Sequence, residues 1–225
     1  MRLGWAVSGR GATLQAVIAA QRAGLLGSAV TFVLTDRPSE IEAVAEQAGI
    51  AWRRVPFAGD RAAFDAAQHA ALAGAGFDWL GLTYNWLLKP PTIAALGSRI
   101  FNLHLALLPL FPGAAATRRA IDSGMRIAGV TIHQVDAGMD TGPILAQASC
   151  PILTGDDVAA LGRRQFEAGL PLTLQVVRAI ETCGLRLDEH GRPVWPAPSA
   201  EGYHGSWPAI DPDLGAFAAR FARGI

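Results

Sequence analysis

The chain has 225 residues, 51% of them hydrophobic and 17% charged, with 19 basic residues set against 19 acidic ones. That length fits one sizeable domain, or one domain with a short appendage, and the neutral balance provides no basic face with which to neutralise a phosphate backbone. Nucleic acid is thereby excluded as the main partner, and so is a membrane span, because the most apolar stretch, residues 100–116, is broken by Asn102, His104, Pro109 and Pro112.

Lys89 is the single lysine, and its setting, Leu88-Lys89-Pro90-Pro91, is not a phosphate loop. Any Schiff-base chemistry would have this residue alone to use. Cys150 and Cys183 form no Cys-x-x-Cys pair, which argues against a disulfide framework or a zinc knuckle, and no pair of histidines has metal-ligand spacing. With no basic segment leading into an apolar one at the start, a secretory signal is not expected, and the chain reads as a reduced, cytoplasmic protein without a metal.

In chain order, residues 3–7 form an apolar run that ends at Gly9-Arg10-Gly11, after which Leu14, Val17, Ile18 and Ala20 recur at helical spacing. Residues 30–34 repeat the pattern, and Ser39 is positioned to cap a helix carrying Ile41, Val44 and Ala45. Residues 51–55 are a third run, 64–72 a third helix, 79–83 a fourth strand and 99–103 a fifth. Strands that are continuously apolar and alternate with helices predict an α/β fold: an open, mostly parallel, Rossmann-like sheet with helices on both faces. Beyond Gly113 the pattern changes, with a helix over 116–123, then strands over 127–135 and 143–148 joined by a tight loop, which predicts an antiparallel pair towards the C-terminus. Asp156 or Asp157 could cap a long helix reaching about residue 180. Residues 1–195 are expected to form the domain, and residues 196–225, rich in Pro, Gly and Trp before a short helix over 214–221, an irregular arm packed back upon it.

Three segments could carry chemistry. Ser8-Gly9-Arg10-Gly11-Ala12-Thr13 lies between a strand and a helix, where helix amides can face an anion; a plain turn and a nicotinamide site, with Asp36 on a ribose, remain alternative readings. Asn102-Leu103-His104 places an amide and an imidazole two residues apart in an extended segment, hence on one side of it. Buried in apolar surroundings, they need partners: either a neighbouring carbonyl in the core or a ligand beyond the carboxyl end of the strand. Asp140, in Gly138-Met139-Asp140-Thr141-Gly142-Pro143, is either an ordinary turn residue or a carboxylate that orients His104 and favours its imidazolium form. His133 could line the same pocket. His69, His190 and His204 read as solvated, and Trp195, Tyr203 and Trp207 as packing residues of the arm.

In order along the chain, Ser8-Gly9-Arg10-Gly11-Ala12-Thr13-Leu14-Gln15-Ala16, Phe101-Asn102-Leu103-His104 running through Leu107-Leu108-Pro109 to Pro112-Gly113, and Met139-Asp140-Thr141-Gly142-Pro143-Ile144 together resemble the folate-dependent formyltransferase family. The likeness spans roughly residues 1–195 and is greatest to its glycinamide ribonucleotide (GAR) transformylase branch. The resemblance implies transfer of a formyl group from 10-formyltetrahydrofolate, as co-substrate, to the primary amine of a small molecule. It implies that Asn102 and His104 hold the oxyanion, and that Asp140 charges His104 and relays the amine proton. It further implies that Trp86, Leu87 and Leu88, together with Val135, Asp136, Ala137, Gly138 and Met139, surround the folate, and that Gly9, Gly11, Ala12 and Thr13 hold the phosphate of the acceptor.

The chain departs from the family on the acceptor side. Ala114-Ala115-Ala116-Thr117 replaces a histidine-containing segment, Ala12 stands where a hydroxyl is usual, Ala106 replaces a serine, and Phe166, with Glu167 adjacent, aligns with an acceptor-contacting glutamate. The resemblance therefore implies a different amine. Two other enzyme readings stay open: a formyltetrahydrofolate deformylase, which usually carries an additional N-terminal domain, and an enzyme like methionyl-tRNA formyltransferase, which the neutral charge balance disfavours. A non-catalytic binding module would have no need of Asn102, His104 and Asp140 together. The sequence leaves the oligomeric state open.

Overall fold

Five short apolar runs in the first hundred residues become parallel strands. The computed structural model describes residues 1–183, 186–189, 193–195 and 205–224, which cluster into two compact units. The first comprises Met1–Asn102 and Val135–Ala137, the second Leu103–Gln134 and Gly138–Ile225.

In the first unit the chain runs β1 (Arg2–Val7), α1 (Ala12–Arg22), β2 (Ala29–Thr35), α2 (Glu40–Gln47), β3 (Ala51–Arg54), α3 (Arg61–Ala73), β4 (Trp79–Thr83) and α4 (Pro90–Leu96), then enters β5 (Ile100–His104). The strand order is β3-β2-β1-β4-β5, every pair parallel. Because β1 is central, Leu3, Trp5 and Ala6 are fully buried. The order reverses direction on either side of β1, so the carboxyl ends of β1 and β4 flank the switch point where ligands of such sheets bind. Ser39 caps α2 as the sequence predicts, its side chain accepting from the Ile41 amide. The helix α4 has no counterpart in the sequence reading; it opens on Pro90 and Pro91, and proline is suited to the first turn of a helix, where its missing N–H costs nothing. His69 is also not solvated as expected. On α3 it is half-buried, with Nδ1 3.3 Å from the Thr92 hydroxyl of α4.

The second unit continues from the end of β5 through α5 (Ala116–Asp122), β6 (Ile127–Gln134), β7 (Ile144–Pro151) and the long α6 (Val158–Cys183). The short strands β8 (Arg186–Leu187) and β9 (Pro193–Val194) pair with each other, and β10 (Ser206–Trp207) and α7 (Pro212–Ala222) follow. Sheet order is β5-β6-β7-β10, with β6 antiparallel to β7 and β7 antiparallel to β10. The fold is thus the α/β, mostly parallel, Rossmann-like arrangement the sequence predicts. Its antiparallel part is larger by β10, whose two residues are too few to leave a sequence pattern. In α6, Leu170, Leu174 and Val177 are buried at helical spacing on one side and Leu161, Leu172 and Val176 on the other, and the helix packs against β6, β7 and α7.

Within the described part of the arm, α7 packs on α6, and Arg178 bridges Asp211 at 2.9 Å and Asp213 at 2.7 Å. Trp195 donates to the Leu145 carbonyl at 3.0 Å, whereas the side chain of Trp207 is half exposed rather than packed. His190, Tyr203 and His204 lie outside the described residues.

Trp5 tests the central strand. Its ring meets Phe101 edge-on at 5.5 Å between centroids, and its indole N–H donates to Thr83 at 3.1 Å. Trp5→Ala is expected to lower the unfolding free energy by about 3–5 kcal/mol, read as a lower urea midpoint at unchanged slope.

Candidate active site

The loop after β1 is shaped by Gly11. Its φ of 75° lies in the left-handed region, and a Cβ there would come within 2.8 Å of Ile41, so glycine is required on both counts. No side chain caps α1, and its first turn carries no acidic residue. The turn can therefore receive an anion on its backbone amides. The Ser39 hydroxyl donates to the Gly9 carbonyl, and Gln15 holds the Arg10 carbonyl at 3.0 Å, so Gly9, Gly11, Ala12 and Thr13 sit in a braced turn.

Asp36, read as a possible ribose contact, already has partners for one oxygen: Oδ2 accepts from Arg37 Nη2 at 2.6 Å and from the Trp86 indole at 2.8 Å. Burial pushes its carboxyl up, but the hydrogen bonds from Arg37, Trp86 and Ser8 outweigh this and hold it below the ordinary range. The contact from Asp36 fixes the Trp86 ring, which packs against Phe57 and Phe64 at 5.0 and 4.6 Å and lies beneath Arg61. Leu88 is buried, Leu87 is half exposed, and Val135 packs against the same apolar cluster as Trp86 and Leu88. These residues form an apolar surface that fits a flat ring, with Asp136 and Ala137 exposed beside Val135.

In the second unit the end of β5 delivers His104, which is buried, while Asn102 on the same strand is half-buried. The loop that follows is held by polar side chains that the sequence reading passes over. Thr131 Oγ1 donates to the Ala106 carbonyl at 2.7 Å and accepts from the Leu108 amide at 3.0 Å, and Gln147 donates to the Leu108 carbonyl at 2.9 Å. Gln165, wholly buried on α6, donates to the carbonyls of Leu105 and Gly129 and accepts from Thr117 at 2.7 Å. Polar residues on buried strand and helix faces are the signal that could have found them, since each needs a partner.

The loop brings the Phe111 carbonyl to 2.9 Å from His104 Nε2 and the Gly113 amide to 2.7 Å from Asp140 Oδ2. The same Oδ2 is 3.3 Å from His104 Nδ1, and Oδ1 is 3.4 Å from Nε2 of His133, whose Nδ1 lies 2.8 Å from the Gln134 carbonyl. Asp140 is therefore more than a turn residue: its carboxylate stands between two histidines. The hydrogen bond from His133 holds its carboxyl down at about 2 against the opposing effect of burial, with the Gly113 amide and the charge of His104 adding to it. Both Gly138 and Met139, just before it, are exposed. Among the described residues, no group of three or more His, Cys, Asp or Glu side chains could hold a metal ion, and no helix is long and apolar enough to cross a membrane.

A parallel sheet with a glycine turn after its first strand, and a histidine at the end of β5 facing a buried carboxylate, define a class that comparison with known proteins identifies. Residues 1–177 match the family described as formyl transferase, so the chain belongs to the formyl transferase family. As an enzyme it is a folate-dependent formyltransferase, with 10-formyltetrahydrofolate as formyl donor. It is 35% identical over 181 residues to a phosphoribosylglycinamide formyltransferase of Mycobacterium tuberculosis, covering 79% of this chain and 84% of that one. It superposes on glycinamide ribonucleotide transformylase 1 of Symbiobacterium toebii with a TM-score of 0.80 at 35% identity, covering 87% and 93% of the two chains. A formyltetrahydrofolate deformylase of Pseudomonas syringae shares the fold, with a TM-score of 0.78 at 20% identity over 86% of this chain and 65% of that one.

Because the carboxyl of Asp140 is depressed on folding, its ionised form contributes stability that is present above the ordinary carboxylate range and lost as the pH falls towards about 2. Asp140 has a left-handed φ of 56°, which asparagine also adopts. Asp140→Asn is expected to cost on the order of 2 kcal/mol near neutral pH, and progressively less below about pH 4. Urea unfolding at several pH values measures this, and a penalty that does not shrink on acidification would contradict it.

Proposed function

We propose that the chain transfers the formyl group of 10-formyltetrahydrofolate to the primary amine of a small substrate, with Asn102, His104 and Asp140 at the reacting centre. The observation that carries this reading is the Asp140 carboxylate, held ionised, set 3.3 Å from Nδ1 of His104. As the amine attacks the formyl carbon, negative charge develops on the formyl oxygen, and the Asn102 amide and the His104 Nε2–H are the donors that stabilise it. That N–H lies 2.9 Å from the Phe111 carbonyl, which must share or release it as the charge grows. The proton lost by the amine passes through Asp140, directly or by way of water, and the bond from the formyl carbon to the donor nitrogen breaks as that nitrogen takes up a proton.

In this reading Trp86, Leu87, Leu88, Val135, Asp136, Ala137, Gly138 and Met139 hold the folate, and Gly9, Gly11, Ala12 and Thr13 bind an anionic group of the acceptor. Purine synthesis is the setting its relatives favour, but several features support an acceptor other than glycinamide ribonucleotide. Ala12 and Ala114-Ala115-Ala116 offer no side-chain hydrogen bonds, and the Thr117 hydroxyl already donates to Gln165. A neutral chain also favours a small amine over a tRNA. Residues 1–195 act in this reading as the catalytic domain, with 196–225 as its arm, in a cytoplasmic setting.

Incubation with 10-formyltetrahydrofolate, with and without candidate amines including glycinamide ribonucleotide, is expected to release tetrahydrofolate only when an acceptor is present. Release in water alone would mark a deformylase instead. His104→Ala is expected to lower kcat by roughly 10²–10³, and near-normal turnover in that variant would refute its role.

A further inference from the structure

His133 lies on β6 with its side chain 3% exposed, and the formyl-transfer reading gives it no task. Its Nδ1 points at the carbonyl of Gln134 and its Nε2 at Oδ1 of Asp140. The two oxygens of Asp140 are thereby divided: Oδ2 serves the Gly113 amide and His104, and Oδ1 faces His133. The last torsion of an aspartate is soft and broadly two-fold. The Gly113 amide fixes the position of one oxygen but leaves the carboxylate plane free to turn about it. A second donor on the other oxygen fixes that plane.

We propose that His133 is a positioning residue, which grips Oδ1 of Asp140 through Nε2–H and so keeps Oδ2 turned towards Nδ1 of His104. The role rests on the reading of His104 as the oxyanion donor and deepens it. The Asp140 side chain is 12% exposed, so water is poorly placed to replace the lost donor, and a buried charged oxygen left without one is costly. The groups facing Asp140 are His104 from β5, His133 from β6 and the Gly113 amide from the loop before α5. Of these, the His133 hydrogen bond does most to keep the carboxyl low, while burial opposes it. Loss of His133 therefore raises the pH below which Asp140 becomes protonated and His104 loses its counter-charge.

The test compares His133→Leu, which removes the donor, with His133→Gln, whose amide N–H reaches towards the place of Nε2. His133→Leu is expected to lower kcat on the order of 10²-fold, since small misplacement at a reacting centre costs about that much. KM for 10-formyltetrahydrofolate should change little, and the acidic limb of the kcat/KM profile should move upward. His133→Gln is expected to recover most of kcat and return the limb towards its original place. A merely structural histidine would leave the limb unmoved. Wild-type kcat in His133→Leu, or an acidic limb that stays where it was, overturns the proposal. Should His133→Leu fail to fold, the wild-type enzyme labelled with ¹⁵N-histidine decides the matter. A proton on Nε2 of His133, with a signal that shifts in Asp140→Asn, supports the grip, and an Nε2 without a proton overturns it. If the wild type transfers formyl neither to an amine nor to water, the functional reading fails separately, because the nuclear magnetic resonance readout does not depend on turnover.

Discussion

Keeping one carboxylate ionised while it is largely withdrawn from water is the constraint on which the second unit depends. A buried charge is costly unless hydrogen bonds replace its hydration. Asp140 meets this with the Gly113 amide and the flanking rings of His104 and His133. Each partner comes from a different element: a loop, β5 and β6. The carboxylate is therefore held only when these three have reached their native positions, which ties formation of the site to completion of the fold around it.

The loop of residues 105–115 buries Ala106 and Leu108 and packs Phe111 against the core, but leaves Leu105 and Leu110 exposed and does not rest on apolar contacts alone. Its carbonyls and amides are taken by Thr131, Gln147 and Gln165 from β6, β7 and α6. Each such bond is worth about 1 kcal/mol net, but leaving its buried partner unmet costs more. Specificity of shape, rather than bulk stability, is what these side chains contribute. The first unit follows a different rule, since its core of Trp5, Leu34, Leu80 and Ile100 is apolar and its loops are set by glycine turns and by caps such as Ser39 and Asp60.

The parallel strands were legible because each is a continuous apolar run beside a helical repeat, and the Ser39 cap because its residue type has few other uses before Glu40 and Ile41. The Asn102, His104 and Asp140 segments were legible as polar residues embedded in apolar or glycine-rich stretches. What escaped notice was either too short to carry a period, as with β10, or written in residues with an equally ordinary alternative. Pro90 and Pro91 signal both a stop and a helix start. His133 reads as a residue of the same pocket, but nothing local in its strand says which partner it meets, because the carboxylate opposite lies seven residues further along, beyond a turn whose path the sequence does not specify. Thr131, Gln147 and Gln165 bond to backbone groups, which leave no trace of their own in a sequence.

Gly113 shows how such a site can be altered without being lost. Its φ of 79° and the Met139 sulfur, 2.6 Å from where a Cβ would stand, favour glycine at this position, and its amide is committed to Asp140. The exposed Ala114 immediately after it carries no such obligation, whereas Ala115 has a left-handed φ of 57° of its own. Position 113 is therefore tied to the carboxylate, while position 114 is open to substitution. A lineage, or an engineer, could rewrite the surface at 114 while the carboxylate anchored one residue away stays in place.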